Sequence, residues 1–214
     1  KLLKEGNVQD YIVVGIWNGG KTRHTDYFPQ KPFENLTPEQ KNMVTQKLNM
    51  SEPFQPVSDN YLKFMVTELK PYIDASYSVH TDRKHTFVAG SSMGGLISMY
   101  ALCEYPKVFG GAACLSTHWP GVFAVENNPI PEAFNKYLKA HLPLLKYSKL
   151  YFDYGDQTLD AMYPSLQREI DKSMKEINTE SKYQWQTQFF PGKDHSENAW
   201  KERLHIPLKF LLGK

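Results

Sequence analysis

Residues 87–96 read Phe87-Val88-Ala89-Gly90-Ser91-Ser92-Met93-Gly94-Gly95-Leu96. A β-type run, 85–90, feeds the pattern G-x-S-x-G at Gly90, Ser92 and Gly94, and a helical run over 93–105 follows until Pro106 stops it. A serine on so sharp a strand-to-helix bend is held in strained backbone with its Oγ projecting, and glycines two before and two after keep neighbouring chain from colliding. The helix N-terminus behind it offers a positive dipole end and free N–H groups, so the Met93 amide is the candidate oxyanion donor. The alternative is a tight glycine turn with an incidental serine.

Working outward, short β-type runs alternate with longer helical ones. The β-type runs are 11–17 (YIVVGIW), 85–90, 109–115 (FGGAACL), 149–154 (KLYFDY) and 183–190 (YQWQTQFF). The first is nearly all apolar, as in a parallel strand covered on both faces. In the last, Tyr183, Trp185, Thr187 and Phe189 alternate with glutamines, the period of a strand with one wet face near a sheet edge. Helices are expected over 58–72, with Ser58 as N-cap, over 131–145, bent at Pro143, over 163–178 and over 197–212. In the third of these, Tyr163, Leu166, Ile170, Met174 and Ile177 step along one face. Strand–helix alternation predicts one α/β domain over 1–214 with a mainly parallel sheet. Residues 18–57 interrupt it as a polar, loop-rich insertion with one weak helix near 38–48 and two sequons, Asn35-Leu36-Thr37 and Asn49-Met50-Ser51.

Composition narrows the function. The 214 residues are 41% hydrophobic and 14% aromatic, enough for a core, and 25 basic against 23 acidic residues leave a net charge of +2. No basic stripe marks a nucleic-acid binder, and no apolar run is long enough to span a membrane. The opening residues, KLLKEGNVQD, lack the apolar core of a signal peptide. Cys103 and Cys114 lie in apolar context and read as buried small hydrophobes.

A serine on such a bend requires an acid and then a histidine, each after a later strand. His195, in Pro191-Gly192-Lys193-Asp194-His195, follows the final β-run and fits best. His24, His80, His85, His141 and His205 are misplaced by position, and His118 is either a pocket residue or a surface-loop one. The acid comes from Asp153-Tyr154-Gly155-Asp156-Gln157-Thr158-Leu159-Asp160. Asp153 lies within its strand; Asp156 and Asp160 both qualify, and Asp160 is preferred because it sits just before a helix and can turn back toward His195. Three aspartates this close are also oxygen ligands for a cation, but the spacing matches no EF-hand loop. In this reading His195 takes the proton of Ser92 as Oγ attacks an acyl carbonyl, and Asp160 orients the imidazole. No metal or organic cofactor is required.

With those residues in place, the chain resembles the putative-esterase family of α/β hydrolases, which includes S-formylglutathione hydrolases, feruloyl and acetyl-xylan esterases, siderophore esterases and the antigen 85 mycolyltransferases. The resemblance rests on IVVGI at 12–16, on Arg23, Tyr27, Phe28 and Pro29, and on the segments at 90–102, 109–116, 152–163 and 189–200. It implies an α/β-hydrolase fold and a serine esterase acting on acyl or feruloyl esters of carbohydrates. The rival readings are a siderophore or thioester hydrolase, an acyltransferase using the same triad, and a binding protein that kept the fold and lost turnover. It also implies a periplasmic or secreted bacterial enzyme. Trp17, Asn18, Arg23 and Tyr27 begin the insertion past a strand's C-terminal end, where open α/β sheets place ligands. These four and Trp119 are the candidate substrate contacts, with packing as the alternative role. The family carries strands ahead of the 11–17 run, and a loop there supplies a second oxyanion donor. Neither precedes Tyr11 here: either the chain begins inside the domain, in which case a form extended upstream is expected to be more stable, or the oxyanion hole is incomplete.

Overall fold

The computed structural model describes residues 2–124 and 126–214, with backbone alone at 179–181. Four strands, β1 (Phe87–Ser91), β2 (Gly111–Leu115), β3 (Lys149–Tyr154) and β4 (Gln184–Phe189), form one parallel sheet in the order β1-β2-β3-β4. The register aligns Ser91 with Leu115, Leu115 with Asp153 and Asp153 with Gln188, so the C-terminal ends of all four strands, and the loops that leave them, share one edge.

The helices are α1 (Arg23–Tyr27), α2 (Gln30–Glu34), α3 (Pro38–Lys47), α4 (Ser58–Phe64), α5 (Lys70–Ser76), α6 (Met93–Glu104), α7 (Ile130–His141), α8 (Tyr163–Ser181), α9 (Glu197–Arg203) and α10 (His205–Leu212). Alternation along the strands divides the apolar residues between two layers. Ala112, Cys114, Leu150 and Phe152 face the larger core, with α6, α7, α8 and the insertion helices. Ala113, Leu115 and Tyr151 face the smaller one, closed by Leu211 with Trp200, Ile206 and Phe210. Both faces are covered, which is why these strands read as apolar runs. β4 is the outermost strand on its side, as its alternating pattern predicts, with Tyr183 buried and Phe189 47% exposed. Cys103 and Cys114 are buried free thiols whose pKa burial drives upward. No helix among the described residues is long and apolar enough to cross a membrane.

Several expectations are corrected. The run at 11–17 forms no strand: Val13 is 80% exposed and Trp17 94%, and β1 ends the sheet on that side. A β-type run becomes a strand only where a neighbour takes up its peptide groups, and apolar composition does not create that neighbour. The insertion at 18–57 is not a loop excursion, because it folds into α1, α2 and α3 and buries Phe28, Phe33, Val44 and Phe54. The Phe28 ring packs 5.2 Å from Phe54 and 5.3 Å from Phe134 of α7. Ser58 does not cap its own helix; it is the first residue of α4, and its Oγ accepts the Gln30 N–H of α2 at 3.0 Å. Beyond Phe64 the helix passes through a π-helical turn, Met65–Leu69, into α5. The final helix breaks at Leu204 into α9 and α10, where Pro207 has no N–H to continue the ladder.

Candidate active site

Ser92 occupies the bend between β1 and α6 with φ 59° and ψ −123°, a region that side chains rarely enter and that costs about 1–3 kcal/mol. The turn is held from outside. Ser92 N–H donates to Leu115 O at 2.9 Å, and Ser92 O accepts from Gly95 N–H at 3.0 Å and His118 N–H at 3.2 Å. Of the two motif glycines, Gly90 is the one the bend requires: a Cβ there would lie 2.5 Å from Gly94 O, whereas one on Gly94 would meet nothing. Met93 is the first residue of α6; its side chain is buried in the core, and its N–H has no partner within the helix.

His195 follows β4, and its Nδ1 lies 2.6 Å from Asp160 Oδ1. The Asp160 side chain is fully buried and that of His195 is 12% exposed. A carboxylate can only accept, so Nδ1 carries the proton and Nε2 is left as a base. Asp160 sits in a 3₁₀ turn, Thr158–Met162, ahead of α8. Its other oxygen accepts from Gly155 N–H at 2.6 Å and from the Ser116 hydroxyl at 2.7 Å. Thr158 Oγ1 accepts the His195 N–H at 2.9 Å, which fastens the imidazole's loop to the acid's turn.

Asp156, the other candidate acid, does a different job. Its Oδ1 accepts Gly192 N–H at 2.7 Å, while the Asp156 and Gln157 N–H groups both donate to Lys193 O at 3.1 Å. The two loops approach so closely at Gly155 that a Cβ there would collide with Lys193 O. Asp156 therefore clamps the loops, and Asp160 meets the ring.

Behind Asp160 lies a buried polar network. Ser116 (φ 41°) accepts from Trp200 Nε1 at 2.9 Å and Arg203 Nη2 at 2.8 Å. Arg203 Nη2 also reaches Asp153 Oδ1 at 2.8 Å, and that carboxylate takes the Ser116 N–H at 3.1 Å and the Tyr151 hydroxyl at 3.1 Å. Burial pushes Asp153 up to about 6, against the opposing pull of Arg203. Trp200 and Tyr163 stand edge-on to the His195 ring at 5.0 and 5.8 Å. Ser116, Tyr163, Trp200 and Arg203 are not among the expected site residues; the first three close segments on which the resemblance rests, but nothing in their local sequence marks a role at the site.

The candidate substrate contacts separate. Trp119 is 1% exposed, its Nε1 bonded to Gln167 at 2.8 Å and its ring against Phe152, so it packs in the core rather than lining a pocket. Trp17 stands in solvent, and Asn18 Oδ1 accepts Gly20 N–H at 2.9 Å to hold the next turn. The Arg23 guanidinium lies 5.6 Å over Tyr27, which packs on Tyr61. His80, Asp82 and His85 bring their ligand atoms within 4.8 Å of one another. They precede β1, at the opposite end from Ser92, and Asp82 there accepts Lys84 N–H at 2.8 Å and meets His85 at 2.7 Å.

Comparison with known proteins agrees with this fold. The family described as "Putative esterase" matches residues 1–210. Carboxylesterase SOBER1 of Arabidopsis thaliana is 28% identical over 93 residues, 42% of this chain and 41% of that protein. The uncharacterized protein YbbA of Bacillus subtilis is 33% identical over 61 residues, 28% of this chain and 24% of that protein. The chain thus matches less than half the length of these curated relatives. Among solved structures, the BES protein from Bacillus cereus superposes with a TM-score of 0.66 at 17% identity, covering 95% of this chain and 68% of that one. A ferulic acid esterase gives 0.52 at 22% identity, covering 75% and 62%. An IroE-like serine hydrolase from Shewanella oneidensis gives 0.59 at 17%, covering 88% and 56%. With its family matched over almost every residue and its parallel sheet shared with these structures, the chain belongs to this esterase family of the α/β-hydrolase fold.

Proposed function

We propose that the protein is a serine carboxylic-ester hydrolase in which Ser92 is the nucleophile, His195 the general base and Asp160 the orienting acid. The observation that carries this reading is the 2.6 Å bond between His195 Nδ1 and buried Asp160, on loops leaving the same sheet edge as the strained Ser92 turn. In the acylation step Ser92 Oγ attacks the ester carbonyl while His195 Nε2 takes its proton, and the charge that grows on the imidazole is stabilised by Asp160. The Met93 N–H stabilises the tetrahedral oxyanion. His195 then returns the proton to the leaving alcohol, and water attacks the acyl-enzyme by the same route in reverse.

Acyl or feruloyl esters of carbohydrates are the proposed substrates, supported by the family and by the fold shared with a ferulic acid esterase. The shared fold of an enterobactin esterase from Shigella flexneri keeps a siderophore ester as the second reading. A periplasmic or secreted site of action belongs to the same proposal. A fluorophosphonate probe tests the chemistry: it should label the wild-type protein, and Ser92→Ala should abolish labelling and ester turnover. Absence of labelling in the wild type would overturn the reading. Release of ferulate or acetate from arabinoxylan fragments, set against hydrolysis of a catecholate trilactone, separates the substrate classes.

A further inference from the structure

His118 is 2% exposed, its Nδ1 lies 2.8 Å from the Tyr163 hydroxyl, and its Nε2 is buried with no partner among the described residues. Buried polar atoms are nearly always paired, so an orphaned ring nitrogen needs an explanation. Its place suggests one. The His118 N–H is bonded to Ser92 O, and Tyr163 lies edge-on to both His118 (6.0 Å) and His195 (5.8 Å). His118 is therefore tied to the turn of the proposed nucleophile, and Tyr163 packs against both its ring and that of the proposed base.

The tautomer follows from Tyr163. Its hydroxyl is buried and has one proton to place, with His118 Nδ1 as its recorded partner. The phenol donating to Nδ1 puts the imidazole proton on Nε2. Burial, aided by the neighbouring charges of His195, His24 and Arg23, holds the ring's pKa down to about 3, so the group stays uncharged and keeps that single donor. The ring of Phe123, which is 71% exposed, packs 5.6 Å from that of His118.

We propose that His118 is a specificity-determining residue whose Nε2–H donates to an acceptor oxygen on the ester bound at Ser92. The inference rests on the esterase reading above. An ester with an ether, hydroxyl or carbonyl oxygen near the scissile bond satisfies the donor, whereas one with a methylene there leaves it unpaired, which selects against such esters.

The test uses matched esters that differ by one oxygen: 2-methoxyethyl against butyl acetate, and p-nitrophenyl methoxyacetate against butanoate. The readout is the ratio of kcat/KM within each pair, which cancels intrinsic reactivity when wild type and variant are compared. His118→Leu should lower that ratio by about 10- to 100-fold in at least one pair. His118→Gln, which keeps an N–H near the Nε2 position, should hold it close to wild type. Tyr163→Phe, which frees the tautomer, should give an intermediate loss. A purely structural role would depress both members of a pair equally and leave the ratio unchanged, which would overturn the inference while the esterase reading stands. ¹⁵N–¹H correlation spectra of the wild type should show the proton on Nε2; a proton on Nδ1 would overturn the inference even if no variant folds. A wild type inert to fluorophosphonate and to all four esters would instead remove the esterase reading and this inference with it.

Discussion

The Ser116 hydroxyl has no choice about where its proton points. Trp200 Nε1 and Arg203 Nη2 can only donate to it, so its own hydrogen must go to Asp160 Oδ2. That fixes which oxygen of Asp160 is left for His195. Removing the hydroxyl in Ser116→Ala leaves Trp200 Nε1 without its acceptor and takes one bond each from Arg203 Nη2 and Asp160 Oδ2, which keep Asp153 and Gly155 N–H. We expect a loss of about 1–3 kcal/mol in stability and a fall in kcat larger than the change in KM, measured by thermal melts and steady-state kinetics. Asp160→Asn tests the acid more sharply. An amide no longer holds the imidazole with its proton on Nδ1, and kcat should fall by about 10⁴-fold. Asp156→Asn keeps the acceptor for Gly192 N–H and should leave turnover near wild type. If instead Asp156→Asn carried the large loss, the acid assignment would be reversed. Ser92, His195 and the preferred acid were legible in sequence because a strand end and a helix start bracket each of their loops. Ser116 and Arg203 were not, since a hydroxyl that joins the turn of Asp160 to two residues of α9 has no local pattern.

Among the elements, the insertion is the piece whose role its composition concealed. Its glycines, prolines and asparagines suggest loop, yet Phe28, Phe33 and Phe54 form an aromatic cluster that docks on α7. Isolated aromatics between polar residues carry no helical period, so only the tertiary contact reveals them. Phe28→Ala should cost about 3–5 kcal/mol, a drop of roughly 2–4 °C in Tm per kcal/mol for a chain of this size. A loss below about 1 kcal/mol would mean the insertion is peripheral to the core. The four paired strands were legible because each is covered on at least one face. The 11–17 run has the composition of such a strand but no neighbour to bond, and β-structure depends on pairing before it depends on residue type.

At the scale of the molecule, two buried groups near the sheet edge give stability opposite pH dependences. The unfolded chain protonates His118 near 6.5, while the folded state resists until about 3. Its contribution is therefore complete above about 6.5 and is lost as pH falls through that window. Asp153 runs the other way: held up to about 6 from an ordinary 3.8, it takes its proton first in the native state and favours folding as pH falls through that range. Replacing His118 by Gln removes only the first effect. Melts from pH 7 to pH 4 should show the wild type losing more Tm than His118→Gln, and parallel curves would contradict the assignment. The last helices have a further consequence. Trp200 and Arg203 reach back to Ser116 from α9, so the turn of the proposed nucleophile is translated well before the groups that brace the proposed acid and base. A ribosome-bound nascent chain that has not yet released α9 carries the proposed nucleophile without the groups that brace its proposed base. Synthesis thus delays assembly of the proposed triad until α9 has emerged from the exit tunnel.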